Sequence, residues 1–489
     1  MSAQTTPWGF YGRSTELARL QKILGRKRFF FARITGRRRI GKTSLIQQAL
    51  GGYREKVLYV QIPDSEEAGV LSAFADAVVI FGVALPRTPK RLAELADAIG
   101  ELIRGGYIVV LDEFQYFAKK RLAEFPSHLQ RVVDELLRDA EKVEGGLFVL
   151  GSLFTEMVTL LDDRQAPLYG RTTDTLDLPH LDIASVLEIL DTHADRDPER
   201  LLTLWNLFEG VPKFYRDAYE QDALRCDRKE LLRRMFFNSS APLRTGAADW
   251  FLHELQGRYD AILKYVAHHP GCTSSDINAH LQDVAGLDSK TANQYLKVLE
   301  DRFQLIERKL PIFADSKERK GRYYIRDNFL RSWLHALDQQ VKAVHFRPLD
   351  KLIDISDQRL REAEGAGLER LVATIYEERS RKGLPGFNLT HRVEGYWDRA
   401  GTEIDLVAVD DEARVIRFGH CRRTADKLPA ALDAYDGHVQ RFLSARRTYA
   451  TYRIEKVAIA PSIPDALAEE LRSHGWLAED LRSLTADLR

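Results

Sequence analysis

The sequence predicts an α/β protein: a parallel sheet with helices on both faces, then a largely helical middle, then a second α/β unit. Three observations carry this. Short apolar runs rich in β-formers recur through the first 180 residues, each separated from the next by helix-length sequence. From about Leu181 to Trp250 the apolar residues fall on helical stripes, such as Leu201, Leu204, Trp205 and Phe208 ahead of Gly210. From about Glu364 the pattern reads helix, several strands, helix, strand, helix. The chain has 489 residues, room for roughly three domains at ~150 residues each.

The first unit opens with a helix that Ser14 can cap, with Leu17, Leu20 and Leu24 on one stripe. Strands are expected at about Arg28–Ile34, at VLYVQI from Val57, YIVVL from Tyr107, LFVLG from Leu147 and TDTLDL from Thr173. From about Phe251 to Leu337 three helical stretches precede two strands around a charged turn. A less patterned stretch follows. The expected boundaries are a core over 1–180, a helical lid over 181–250, a third unit over 251–337, a linker over 338–362 and the last α/β unit over 363–489.

Composition narrows the function classes. Hydrophobic residues make up 44% and charged residues 29%, ordinary for a packed globular chain. Lys plus Arg and Asp plus Glu both number 72, so whole-protein charge argues for neither nucleic acid nor membrane. Cys226, Cys272 and Cys421 are far apart and odd in number, which suggests neither a disulfide framework nor a zinc site. The opening residues lack an apolar signal core, and the longest apolar runs are strand-sized. A cytoplasmic protein is expected.

Gly36-Arg37-Arg38-Arg39-Ile40-Gly41-Lys42-Thr43 fits the phosphate-loop (Walker A) pattern G-x-x-x-x-G-K-[ST] without deviation. Gly36 and Gly41 let the backbone curl so that successive N–H groups aim at phosphate oxygens. Lys42 neutralises the β- and γ-phosphates, and Thr43 offers its hydroxyl to magnesium. The helix entered at Lys42, with Ser44 in its first turn, adds its positive end. A chance match in a chain this long has a probability of about 1–2%. Here the motif also follows an apolar strand (FFFARI) and enters an amphipathic run (SLIQQAL). ATP and Mg2+ are the expected ligands.

The loop needs a second element. Tyr107–Leu111 ends in Asp112-Glu113. Asp112 would hold the magnesium shell, and Glu113 would polarise the attacking water as general base. Two adjacent acids point to the phosphate-loop division with an extra strand between the loop strand and the acidic strand. Leu147–Gly151 fits that strand, with Ser152 at its tip. Ser152 is read either as a γ-phosphate sensor or as an ordinary helix cap. Arg171 is read either as a transition-state arginine or as a salt-bridging surface residue. Arg37–Arg39 face phosphate, DNA or solvent, because side chains of such a loop splay outward while its amides bind.

The ordered set FYGRSTELARL, GRRRIGKTSL, LDEFQY, PLYGR and GVPKFY resembles the archaeal-type ATPases of the P-loop NTPase superfamily, an AAA-like division related to the STAND and Orc/Cdc6 groups. RYYIRDNFLRSWL from Arg322 resembles the end of the winged helix in the architecture that continues into a DUF234-type C-terminal region. Together these cover nearly the whole chain. The resemblance implies that Gly12-Arg13 lies near the adenine end of the nucleotide. It also implies that Gly210-Val211-Pro212 is a lid motif that feels nucleotide state.

Within 251–337, Ser274–Leu281 and Lys290–Phe303 read as two helices joined by a turn at Gly286. Ala292, Tyr295, Leu296 and Leu299 form the buried stripe of the second, leaving Lys290, Asn293, Gln294 and Lys297 on its other face. The strands LIERKLP and RYYIRD enclose a candidate wing with Lys317, Arg319, Lys320 and Arg322. Between Arg302 and Arg326 there are eight basic and three acidic residues. A reading helix in the major groove with a basic wing on phosphates explains this. A charged turn used in intramolecular packing explains it too.

The last unit resembles the restriction-endonuclease-like, PD-(D/E)xK, superfamily. By that resemblance Glu369 occupies the helix acid position and Asp405 the strand acid position. His420 and Arg422 then stand where E-x-K is expected, with the spacing intact and the residue types changed. Magnesium prefers oxygen ligands over imidazole, and Arg does not give up a proton. The expectation is a nuclease-like domain without hydrolytic activity. The whole then reads as an ATP-binding and ATP-hydrolysing switch acting on or near DNA. A non-enzymatic nucleotide-holding regulator and an ATP-gated nuclease are the alternatives, and assembly into a homo-oligomer is left open.

Overall fold

The computed structural model describes residues 6–152, 154–246, 258–286, 288–315, 318 and 320–488. The chain divides into two compact units. One comprises Gly12–His180 with Val211–Lys213; the other comprises the first residues to Tyr11, Leu181–Gly210 and Phe214 onward.

The first unit is a five-stranded parallel sheet. Its strands are β1 (Phe30–Thr35), β2 (Val57–Gln61), β3 (Ile108–Asp112), β4 (Gly146–Gly151) and β5 (Asp174–Asp177), in the order β2-β3-β4-β1-β5. The strand expected between the loop strand and the acidic strand is β4. Alternation along β1 builds two cores, because successive side chains of a strand leave opposite faces. Phe30, Ala32 and Ile34 pack with Leu45 and Ile46 of the helix Lys42–Ala49. Phe31 enters the opposite core with Leu147, Val149 and the Leu129, Val132 and Val133 face of the helix Phe125–Arg138. Both faces are covered, so β1, β3 and β4 are buried at every position.

The second unit starts with a strap. Trp8 stacks on His193 at 5.2 Å, the Tyr11 hydroxyl lies 2.5 Å from His193 Nε2, and the Tyr219 hydroxyl donates to the Thr6 carbonyl at 3.0 Å. These contacts seat residues 6–11 on the helical segment that begins with the helix Ile183–His193. Further on, the helices Arg258–His268, Ser274–Ala285 and Ser289–Lys297 lead into a hairpin of β6 (Ile306–Lys309) and β7 (Arg322–Ile325). Asp288 caps the third of these helices through the Thr291 N–H, and Gly286, at φ 61°, makes the turn before it.

The stretch 338–362, expected as a linker, is helical for most of its length. It enters one continuous helix, Leu349–Arg381. Leu352, Ile353, Ser356, Leu360, Gly367, Leu368, Leu371 and Val372 are buried along it. The polar members of the stripe have partners. Buried Asp357 and Glu364 meet Arg228, and Glu364 also accepts from Arg423 at 2.8 Å. Buried Glu378 accepts the N–H groups of Ile183 and Ala184 at 2.6 and 3.0 Å, capping the helix Ile183–His193. Within 338–362, Asp357 is an acid at a core position, and its ion pair with Arg228 makes its burial tolerable.

The last sheet is mixed: β8 (Glu394–Trp397), β9 (Glu403–Asp410), β10 (Val415–Cys421), β11 (Arg453–Ala460) and β12 (Leu477–Asp480), in the order β12-β11-β10-β9-β8. β8, β9 and β10 are antiparallel neighbours, and β10, β11 and β12 run parallel. The helix Leu432–Ala445 covers one face with Tyr435, Val439 and Phe442. Among the described residues no helix is long and apolar enough to cross a membrane.

Candidate functional site: the phosphate loop and its acidic strand

The loop sits between the tip of β1 and the helix Lys42–Ala49. A Cβ on Gly36 would lie 3.0 Å from both the Leu178 carbonyl and the Ile40 side chain, and Gly41 holds φ at 92°. These two positions need glycine for close approach and for left-handed backbone. Ile40 is buried and anchors the loop in the core; Thr43 and Ser44 are exposed at the helix start. Arg38 is exposed, while Arg37 and Arg39 are half-buried and engaged. Arg13 braces the loop from below. Its guanidinium donates to the carbonyls of Ile40, at 3.3 Å, and Pro179, at 2.6 Å, and pairs with Glu16. Pro212 also lies in this unit, its ring 3.9 Å from where a Cβ on Gly41 would stand.

Lys42 is buried and folds back on the loop, donating to the carbonyls of Gly36 at 2.8 Å and Arg37 at 3.0 Å. Burial lowers its ammonium to about 8, against the pull of Glu113 and Asp112. Thr43 Oγ1 donates to Asp112 Oδ2 at 3.0 Å. The Tyr59 hydroxyl, from β2, donates to the same oxygen, and the Glu113 N–H meets Oδ1 at 2.8 Å. Burial and the Asp112 carboxylate push the Tyr59 phenol up, so it stays a donor.

Glu113 holds a left-handed backbone at φ 58° where β3 ends. Its Oε2 accepts from the Ser152 hydroxyl at 3.1 Å and from Gln115 Nε2. Gln115 is 2% exposed and also meets Ser152 twice, Nε2 to Oγ and the Ser152 N–H to Oε1, both at 3.3 Å. Gly151 makes room for this. A Cβ there would stand 2.3 Å from the Met157 sulfur and 3.1 Å from Gln115 Oε1. The structure therefore brings Lys42, Thr43, Asp112, Glu113 and Ser152 together. Arg171 is engaged elsewhere: its Nε and Nη2 reach the two Asp134 oxygens at 2.7 and 3.0 Å.

Tyr59 and Gln115 are the two site residues that reading the sequence missed. The signal for Gln115 was its place two residues after Glu113. Tyr59 had a weaker one: a hydroxyl near the end of a strand that is otherwise apolar.

Residues 10–214 match the model of an ATPase domain family found predominantly in Archaea. The chain carries an archaeal-type P-loop ATPase domain. The chain is also similar to the uncharacterized protein MJECL04 of Methanocaldococcus jannaschii, 25% identical over 84% of this chain and 86% of that one. Among solved structures, the Walker-type ATPase paby2304 of Pyrococcus abyssi aligns over 66% of this chain and 96% of its own, with 18% identity and a TM-score of 0.51. The Orc2 protein of Aeropyrum pernix aligns over 74% of this chain and 97% of its own, with 17% identity and a TM-score of 0.45. The five-stranded sheet order places the ATPase domain in the P-loop NTPase fold.

Outside the ATPase domain, Asp405, His420 and Arg422 of the expected second site lie together on β9 and at the end of β10, and Glu369 stands on the helix Leu349–Arg381. Asp405 Oδ2 accepts the Cys421 N–H at 2.8 Å and lies 3.4 Å from Arg422 Nη1 and 3.2 Å from His420 Nδ1. His420 is 1% exposed, and neither ring nitrogen has a well-aligned hydrogen bond among the described residues. Glu403 pairs with Arg322 at 2.7 Å. Burial raises the Glu369 carboxyl to about 8; Asp405 and Glu403 reinforce this, and Arg422 and Lys309 oppose it.

That value fixes a sign. The fold retains the Glu369 proton from about 4.5, the ordinary value, up to about 8, while the unfolded chain gives it up. Glu369 therefore costs stability increasingly as pH rises through that window. Glu369→Gln is expected to raise stability at pH 8 by on the order of 1–3 kcal/mol, with a smaller gain near pH 5. Melting temperatures at both pH values check this. An equal shift at both would show that the proton is not involved.

The basic hairpin is tied to this sheet. The Ile312 N–H donates to the Gly395 carbonyl at 2.9 Å, and Ile312 is buried in the sheet's core. Phe313 stacks on Tyr449 at 4.8 Å, the Trp397 indole N–H donates to the Lys320 carbonyl at 2.9 Å, and Arg322 lies 4.7 Å over Trp397. Lys317 and Arg319 lie outside the described residues. On the helix Ser289–Lys297, Lys290, Asn293, Gln294 and Lys297 are exposed, while Ala292 and Leu296 are buried.

Proposed function

We propose that this chain is an ATP-hydrolysing switch. ATP binds on the phosphate loop with Mg2+ held by Thr43 and Asp112. The observation that supports this best is the 3.0 Å contact between those two residues, on separate elements, with Lys42 and Glu113 beside them. Lys42 moves from the loop carbonyls to the β- and γ-phosphates. Magnesium, when bound, neutralises phosphate charge. Glu113 takes the proton of the attacking water, and Ser152 reads the γ-phosphate. The helical segment 181–250 serves as the lid.

The 258–325 region is a winged helix that contacts DNA through Lys290, Asn293, Gln294 and Lys297. Its wing is used largely within the chain, since Arg322 and the Lys320 carbonyl are committed to Trp397 and Glu403. The last domain is nuclease-like and without activity. The Cys421 N–H and Arg422 both donate to Asp405 Oδ2, and Glu369 keeps its proton at neutral pH, so a metal meets a poor acid pair.

Phosphate release, with and without duplex DNA, tests the switch. Turnover stimulated by DNA is expected, with DNA affinity weakened in Lys290→Ala and Lys297→Ala and a salt slope reduced by roughly 1 per lost phosphate contact. Binding unchanged in both variants would remove the helix as the DNA contact. DNA cleavage in magnesium or manganese that Asp405→Ala abolishes would overturn the inactive reading.

A further inference from the structure

We infer that Gln115 is a positioning residue that links Ser152 to Glu113, so that the γ-phosphate sensor and the base act as one unit. The inference rests on Glu113 being the base. In hydrolysis the water oxygen bonds to the γ-phosphorus, the bond from that phosphorus to the β–γ bridging oxygen breaks, and the water proton passes to the Glu113 carboxylate. The base must therefore be held as a carboxylate at one place. Ser152 and Gln115 both donate to Glu113 Oε2, which leaves Oε1 available for the water.

Gln115 suits a relay. Its amide has an acceptor and a two-hydrogen donor, and the structure uses both ends. Oε1 accepts the Ser152 N–H, and Nε2 reaches both Ser152 Oγ and Glu113 Oε2. The side chain is almost wholly buried, so water does not substitute for these contacts. When Ser152 turns its hydroxyl toward a γ-phosphate, one donor leaves Glu113 Oε2. Gln115 then remains as the donor that keeps the carboxylate placed. Gln115 thereby sets the position of the base.

The experiment uses the full chain and measures ATP affinity and kcat separately. Gln115→Leu keeps the volume and removes the donors. It is expected to lower kcat roughly ten- to a hundredfold and leave ATP affinity unchanged. Gln115→Glu keeps the shape and replaces the donor to Glu113 Oε2 with a second carboxylate, and the same fall in kcat at unchanged ATP affinity is expected. It decides the matter where Gln115→Leu fails to bind ATP. Wild-type kcat in the folded variant would overturn the inference. Glu113→Gln is run alongside. If it still hydrolyses ATP, the base assignment itself fails. If it is inactive while both Gln115 variants are normal, only the role of Gln115 fails.

Discussion

Glu113→Gln is expected to lower ATP turnover by about 10²–10⁴-fold while ATP binding stays at its wild-type level. The reason is chemical. The amide keeps the size of the carboxylate but cannot take the water proton. The reason for intact binding is structural: Glu113 touches Ser152 and Gln115, whereas the loop that cradles phosphate is held by Arg13, Ile40 and Lys42. The variant should form a stable complex with ATP and magnesium, visible as a raised melting temperature that persists for hours where the wild type loses it to hydrolysis. Unchanged phosphate release would remove Glu113 as the base.

Lys42→Met is expected to abolish nucleotide binding and at the same time stabilise the protein without nucleotide. Lys42 carries its charge in a buried site, and burial lowers its ammonium from 10.5 to about 8. Below about pH 8 both folded and unfolded chains bind this proton, and the fold bears the full cost of the buried charge. Between about 8 and 10.5 only the unfolded chain binds it, so stability rises with pH and the cost is gone above 10.5. Met fills similar volume without charge. The gain at neutral pH is on the order of 1–3 kcal/mol, because two carbonyls lose their donor and offset part of it. It should shrink as pH rises past 8. ATP should then raise the melting temperature of the wild type alone. A wild-type nucleotide shift in Lys42→Met would show that the lysine is not a phosphate contact.

The two variants separate what a catalytic site asks of a fold. Glu113 is kept ready by donors from neighbouring side chains. Lys42 is kept out of water at a cost to the folded chain. In the last domain Glu369 bears a similar cost from the opposite charge: a carboxyl crowded by Asp405 and Glu403 and relieved only in part by Arg422 and Lys309.

Much of the ATPase domain was legible in the sequence because its signals are contiguous. Gly36 through Thr43 is one loop. Asp112-Glu113 closes one strand, and the apolar runs that became β1 to β5 are each a few residues long. The inserted position of β4 was legible because two adjacent acids imply it. The linker was misjudged for a physical reason. Asp357 breaks the apolar pattern of that stretch, yet it is buried against Arg228. That partner is distant in sequence.

By itself the sequence determined the place of β4 between the loop strand and the acidic strand, the phosphate loop and the acidic strand tip. Each depends on residues close in the chain or on a fixed spacing. Only the tertiary structure decided which donors those residues meet. It set Tyr59 on Asp112 and Gln115 between Ser152 and Glu113, engaged Arg171 with Asp134, and seated the basic hairpin on Trp397 and Glu403. A hydroxyl, an amide or a guanidinium has the same propensity whether it faces solvent, substrate or a buried carboxylate. The choice among these lies in burial and distance, which come into being when separate elements pack.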